Sequence, residues 1–299
     1  VGADLPPDAR FDASGWSPVG SGTFSDLRAV WGSGPNDVWV VGDGGAVLRW
    51  DGARWRSVQS NTFASLRAIW GDSPTNVWAV GTAFSDVPVV IRWNGTSWRT
   101  VSFVQSRRYP LRGVWGERAD AVRVVGGSFE NPAGPVYRWD GAAWREERLA
   151  DRDVLSLGIH GRAGMGPWVV GDNGSAFRRD AAAWMELASL PRGVTFTGGV
   201  WIWSAEDVWA TGARGALHHY AMGRWTTSML RTTEQFNALW GDAPMSMWSV
   251  GRRGAIARWN GADWTVVQAS TQDLWSVWGA GPNDVWAVGD NGTILRKVR

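Results

Sequence analysis

The sequence predicts an all-β chain: a seven-bladed β-propeller of four-stranded antiparallel blades, the last blade closed by a strand from the N-terminus. Three observations predict it. A unit recurs seven times along the 299 residues, marked by Trp-Gly in five copies, His160-Gly161 in the fourth and Trp201-Ile202 in the fifth. Each recurrence carries short apolar runs separated by Gly-rich turn pairs, which is strand punctuation. The last recurrence stops before its final aromatic, and a copy of the missing piece stands near residue 1.

The innermost strand of each blade is read from "LRAVW". It ends at the first aromatic column: Trp31, Trp70, Trp115, His160, Trp201, Trp240 and Trp278. The second strand, "DVWVVG", carries a second column eight residues later: Trp39, Trp78, Arg123, Trp168, Trp209, Trp248 and Trp286. The third strand, "AVLRW", ends at Trp50, Trp93, Trp139, Arg179, Tyr220, Trp259 and Lys297. The fourth begins five residues further on, at Trp55, Trp98, Trp144, Trp184, Trp225 and Trp264. The seventh unit has no such residue. "FDASGW" (Phe11 to Trp16) has the spacing of "WDGARW" (Trp50 to Trp55), so the N-terminus supplies it. Pairing the two ends in one sheet removes an open edge. Asp51-Gly52, Asn94-Gly95, Asp140-Gly141 and Asn260-Gly261 suit tight hairpins between the third and fourth strands. The blades fall at about 27–60, 66–103, 111–149, 154–189, 196–230, 236–269 and 274–299 plus 11–20, within a single domain 1–299.

Of the 25 Trp, 23 stand in these columns. Wedge-shaped gaps between twisted sheets must be filled, and a Trp fills one with about 150–250 Å² of buried surface. The columns are therefore expected to pack rather than to bind. Composition narrows the function further. Cysteine is absent, so there is no thiolate nucleophile, disulfide framework or Cys-based zinc site. The net charge of +2 makes no case for nucleic acid. No apolar run reaches the roughly 20 residues of a membrane span.

The unit "W-G-x-x-P-x-D-V-W-x-V-G-x-x-G-x-I-x-R-W-D-G-x-x-W" resembles the bacterial neuraminidase-repeat (Asp-box) propellers. It is similar above all to the branch that includes the photosystem II assembly and stability factors, and to Trp-rich secreted propellers of myxobacteria. Val41-Gly42, Val288-Gly289, Ile294, Asp51-Gly52 and Trp55 carry the likeness. "WDGARW" lacks the Ser of the Asp-box, so no site residue is carried over. The resemblance implies the fold and an extracellular, periplasmic or cell-surface location. Propellers host lectins, scaffolds and enzymes alike.

Chemistry has to come from residues outside the template. Arg49, Arg92, Arg138, Arg178, Arg258 and Arg296 share one strand position and read as structural. His218 and His219 point to opposite faces of a strand and suit no shared metal. Neither a cofactor nor a metal is expected. The connection between the second and third strands (B–C) is lengthened in blades two and three, by "TAFSDVP" and "GSFENPAGP", on the face that carries the linkers between blades (D–A). The linker between those blades is "VQSRRYP". Phe84, Asp86, Arg107, Arg108, Tyr109, Phe129 and Glu130 are therefore candidate ligand residues, because loops on a rigid scaffold carry binding. Drift in tolerated surface insertions explains the same inserts equally well. Two Trp lie off the template and are candidates for ligand stacking. Trp203 is read into an A–B loop on the opposite face; Trp275 replaces Arg28, Arg67 and Arg112 beside the central channel. The expected function is a non-catalytic, monomeric binding or scaffold propeller that recognises a protein or glycan through its B–C/D–A face. A lectin using exposed Trp, and a cell-envelope glycoside hydrolase or lyase, are the alternatives.

Overall fold

The computed structural model describes residues 15–103, 108–127, 134, 136–150, 154–181, 183–187, 190 and 194–298. Among them are seven four-stranded antiparallel sheets. In blade one the strands are Leu27–Gly34, Asp37–Gly42, Val47–Trp50 and Trp55–Ser57, in that spatial order from the channel outward. The seventh blade takes its outer strand, Trp16–Pro18, from the start of the chain; Trp16 pairs with Lys297 and Pro18 with Leu295. The closure expected from the spacing is therefore present. Trp16, only 1% exposed, sets its ring edge-on to Trp248 of blade six at 5.4 Å.

The sheets meet through two kinds of contact, and both explain why Trp recurs. Second-column rings fill the outer part of each seam. Trp39 meets Trp93 and Trp98 of the next blade at 5.0 and 5.5 Å. Trp286 meets Trp50 and Trp55 at 5.1 and 5.2 Å. Edge-on and tilted pairs of this kind add about 1 kcal/mol each beyond the area they bury. Four of the columnar arginines, Arg49, Arg92, Arg258 and Arg296, lie on these rings from within their own blade: Arg49 is 4.8 Å from the Trp39 ring centre, with its Nε on Asp37 at 2.6 Å. Arg296 repeats this on Trp286 and Asp284 at 4.4 and 2.8 Å.

First-column rings fill the inner part, and each needs a glycine opposite. A Cβ on Gly32 would stand 2.5 Å from the Trp278 ring; one on Gly71 would stand 2.6 Å from Trp31, and one on Gly116 2.5 Å from Trp70. The Gly of each Trp-Gly unit is the floor on which the preceding blade's Trp lies.

Two seams depart from this pattern. Between blades three and four, where Arg123 and Arg179 replace aromatics, Glu147 gathers the charges. It accepts from Arg123 Nε at 2.9 Å and Trp184 Nε1 at 3.0 Å, with Arg179 Nε at 3.6 Å. Burial pushes the Glu147 carboxyl up, but the hydrogen bond and charge of Arg123 outweigh it and hold the group below its ordinary value. Between blades four and five, His160 replaces the Trp and Ile202 replaces the Gly. The smaller ring leaves room for the larger floor. His160 stacks on Trp201 at 4.4 Å and its Nδ1 accepts from the Ile202 N–H at 3.3 Å. Burial, with the Arg162 cation behind it, pushes this imidazole down to about 3.

Trp203 completes this rearrangement and corrects a sequence expectation. It lies in the strand Phe196–Ser204, not in a loop, and is 8% exposed. Its ring covers Gly241, the floor that a first-column Trp covers elsewhere, and its Nε1 donates to Met247 Sδ at 3.2 Å. No face of it is left for a sugar.

Candidate functional site

The seven inner strands line a channel of about 380 Å³, which opens on the B–C/D–A face into a mouth of about 710 Å³. One position decides the character of that mouth: the residue after the one that pairs with the second strand's final Gly. Arg28, Arg67 and Arg112 come from blades one to three; Leu157, Thr197, Asn237 and Trp275 come from blades four to seven. At this position blades one to three are cationic and blades four to seven uncharged.

The three arginines are not equivalent. Arg28 is surrounded by Asp26, Asp43 and Asp290 at 2.8, 2.6 and 3.2 Å. Burial draws its guanidinium down, but Asp43, then Asp26 and Asp290, outweigh this and raise it. Trp275 belongs to the same cluster. Its Nε1 donates to Asp290 at 2.6 Å and its ring lies 4.9 Å from the Arg28 guanidinium. Arg67 is exposed and has no ion pair among the described residues. Arg112 donates its Nε to the Gly127 carbonyl at 2.9 Å. Burial lowers its pKa, and the neighbouring Arg67 cation lowers it further, with Asp86 opposing. Two adjacent cations thus share a partly buried site with exposed Asp86, while Asp43, bonded to Arg28, lies within charge range of Arg67.

Asp86 reaches that position through an unusual backbone. It ends the turn Phe84–Asp86 with φ of 56°. The sister turns end in Gly45, Gly174 and Gly254, with φ of 75°, 70° and 70°. A Cβ at Gly45 would fall on the Thr62 carbonyl oxygen. A left-handed non-glycine residue is tolerated best when it is Asp or Asn, and such residues collect at functional sites.

The other candidates separate. Arg107, Phe129 and Glu130 lie outside the described residues. Arg108 is exposed and Phe84 is 94% exposed, so neither packs on its own blade. Tyr109 is 1% exposed and stacks on Tyr137 at 6.2 Å, so it belongs to the core and not to a basic aromatic surface. The site therefore assembles Asp86 and Trp275 with Arg67 and Arg112. The arginines share Trp275's strand position, which was the sequence signal for them; their different pairing was not readable there. His218 and His219 are structural. His218 is fully buried with Nδ1 beside Thr227 Oγ1 at 3.0 Å; His219 lies flat on Trp209 at 4.1 Å and meets Asp207 at 2.8 Å.

No protein-family model matches this chain. No curated protein matches it either. The fold is similar to solved propellers. "YCF48 bound to D1 peptide" has 15% identity and a TM-score of 0.75, over 99% of this chain and 100% of that one. YCF48 from Cyanidioschyzon merolae has 14% identity and a TM-score of 0.75, over 95% and 99%. The WD40 propeller domain of Doa1 has 12% identity and a TM-score of 0.69, over 94% and 96%. At these identities the likeness is one of fold, and it joins this chain to the seven-bladed ring through structure rather than through an Asp-box signature.

Proposed function

We propose that this chain is a non-catalytic propeller that holds an extended protein segment at its channel mouth, with a carboxylate of that segment between Arg67 and Arg112. The observation that carries this reading is the difference among the three mouth arginines. Arg28 is bonded to three aspartates, whereas Arg67 and Arg112 face one another and make no ion pair among the described residues, with exposed Asp86 beside Arg112 and Asp43, already bonded to Arg28, within charge range of Arg67. A planar guanidinium that is already partly desolvated is well suited to paired hydrogen bonds with a carboxylate. The other side of the mouth, where Asp172 and Arg252 stand beside Leu157 and Trp275, gives the rest of a peptide some apolar contact. That one neighbour of this fold is a propeller bound to a peptide is consistent with a mouth of this kind. Acid–base chemistry has less support, because Asp290, whose carboxyl burial pushes up, is already held by Trp275 and Arg28.

The test is selection from a random peptide library displayed with free C-terminal carboxylates, run beside a glycan array. Enriched peptides should carry acidic side chains or depend on the free terminus. Combined Arg67→Ala and Arg112→Ala should weaken them about 100-fold, the order expected for two charge-assisted contacts. Peptides that bind the double variant equally well would refute the site. Capture of sugars instead of peptides would favour the lectin reading.

A further inference from the structure

We propose that a groove over blade one, separate from the channel mouth, binds a neutral glycan. The groove, of about 700 Å³, runs on the B–C/D–A face between the linker entering the blade (19–26) and the linker leaving it (58–64), with residues 44–48 between them. Its size is that of a small-molecule site.

Blade six has the same groove, and the comparison isolates what is particular to blade one. In blade six it measures about 460 Å³ and is lined by Arg231, Glu234 and Arg253, with Arg253 3.6 Å from Glu234. Leu27 and Phe236 pair alike with the final Gly of the second strand. Counting back from them, Gly22 stands where Arg231 stands and Ser25 where Glu234 stands. Gly44 takes the place of Arg253 in the B–C turn. Counting back from Leu66 and Leu274, Phe63 takes the place of Thr271. Each charge of the one groove is thus exchanged for a small neutral residue in the other, and no charged residue lines the blade-one groove among the described residues. A Cβ on Gly22 or Gly44 would meet nothing within 4 Å, so the space that two arginines occupy in blade six is open in blade one.

Hydroxyls and one aromatic ring remain. Thr23 Oγ1 and Thr62 Oγ1 each accept a backbone N–H at 3.1 Å, from Ser25 and Ala64, which leaves both hydroxyl protons to donate. Ser57 and Gln59 add a hydroxyl and an amide, which donate and accept. Val47, Leu48 and Trp55 also line the groove, but they are buried in the blade's own layers, and Val58 packs against them. The apolar surface on offer is therefore Phe63, 95% exposed. Its turn does not require that ring: the linker into blade seven makes the matching bond, Gln272 N–H to Ser270 Oγ at 2.9 Å, around Thr271. A pyranose is the complement of such a surface. It is uncharged, lays a flat C–H face on an aromatic ring, and turns hydroxyls toward groups that both donate and accept. An ionic ligand finds no counter-charge here, and the apolar side chains of a peptide find no pocket. The linker is also preset. Asn61 holds a left-handed φ of 59° and its Nδ2 donates to the Trp98 carbonyl of blade two at 3.0 Å, so binding imposes little new order.

The full chain is tested on an array of uncharged oligomers of glucose, mannose, galactose and N-acetylhexosamines, beside uronic and sulfated glycans. At least one uncharged class should be retained, and equally at about 50 and about 500 mM salt, since no ion pair takes part. Phe63→Thr should weaken retention about tenfold. Gly44→Arg should abolish it by rebuilding the blade-six groove, with a side chain that the sister turn carries at φ of 52°. Melting curves of both variants should match the parent's closely; if Gly44→Arg does not fold, Phe63→Thr decides. Arg67→Ala with Arg112→Ala should leave glycan retention unchanged, so this site and the peptide mouth stand or fall separately. The inference is overturned if no uncharged glycan is retained, if retention is confined to acidic glycans or falls with salt, or if either variant, folded, binds as well as the parent. Library peptides that depend on Gly44 and Phe63 instead of Arg67 and Arg112 also overturn it, by making the groove a peptide site.

Discussion

Gly32→Ala should destabilise the ring by about 2 kcal/mol, and Trp278→His should remove most of that cost. The added methyl would stand 2.5 Å from Cη2 and 2.8 Å from Cζ2 and Cζ3 of Trp278. Real Cβ atoms do not come so close, so the indole or the strand has to move. Trp278 packs against the apolar layers on both faces of blade seven, toward blade six and toward blade one, which leaves little room. Overpacking of this kind costs about 1–3 kcal/mol. Trp278→His alone should cost a similar amount, since it trades a half-buried indole for a smaller ring. The double variant should cost about 2 kcal/mol rather than the additive 4, a coupling near 2 kcal/mol. The chain contains a precedent for this exchange in His160 and Ile202. Calorimetry and urea titration of the four proteins provide the assay; a 2 kcal/mol loss corresponds to roughly 4 °C in Tm for a chain of this size. Additivity within about 0.5 kcal/mol, or a Gly32→Ala protein as stable as the parent, would refute the reasoning that glycine is the floor for its neighbour's Trp.

Other outcomes follow from the same contacts. Glu147→Gln should lower stability at pH 7 by about 3 kcal/mol, because Arg123 loses its buried partner. Its carboxyl is held below the ordinary 4.5, so the stabilisation is present above that pH and fades as pH falls through the folded value; parent and variant should converge in acid urea titrations. His218 behaves with the opposite charge. Burial pushes its pKa from 6.5 down to about 4, so the unfolded chain binds the extra proton between those values and stability falls as pH drops through them. That amounts to about 2 kcal/mol at pH 5; His160, pushed down to about 3, adds a similar dependence, so His218→Gln should roughly halve the slope these two groups contribute in denaturation curves run from pH 7 to pH 4. Gly45→Asp should destabilise by at least 3 kcal/mol, from left-handed backbone and collision with Thr62. Asp86→Gly should leave Tm within a degree or two while changing affinity for acidic peptides, since Asp86 is exposed beside the cations.

The ring was legible because its packing is written as a period. Trp39, Trp78 and Trp286 fall in register, and an identical spacing places Trp16 on the open edge that Lys297 leaves. Trp203 was misplaced because a column count treats a departure as an addition. In three dimensions it repairs the exchange of Trp for His160 and Gly for Ile202 one blade away. Tyr109 was misplaced because its neighbours in sequence, Arg107 and Arg108, are polar, while its neighbour in space is Tyr137. The mouth was half legible. The strand position shared by Arg28, Arg67, Arg112 and Trp275 marks the channel, but only the fold shows that Asp26, Asp43 and Asp290 all make direct ion pairs with Arg28, leaving Arg67 only the more distant charge of Asp43. Phe24 and Phe63 carry a signal that sequence could have shown: Phe where the sister linker into blade six has Thr233.

Hydrogen exchange of the protein with and without its enriched acidic peptides tests the binding account most directly. Slowed exchange should fall on 82–87 and 110–116, which hold Asp86 and Arg112, and on the start of the strand Ser65–Ser73 that carries Arg67. Slowed exchange confined to the turns at 33–37, 72–76 and 280–284, with the mouth unchanged, would place the ligand on the other face and contradict the account.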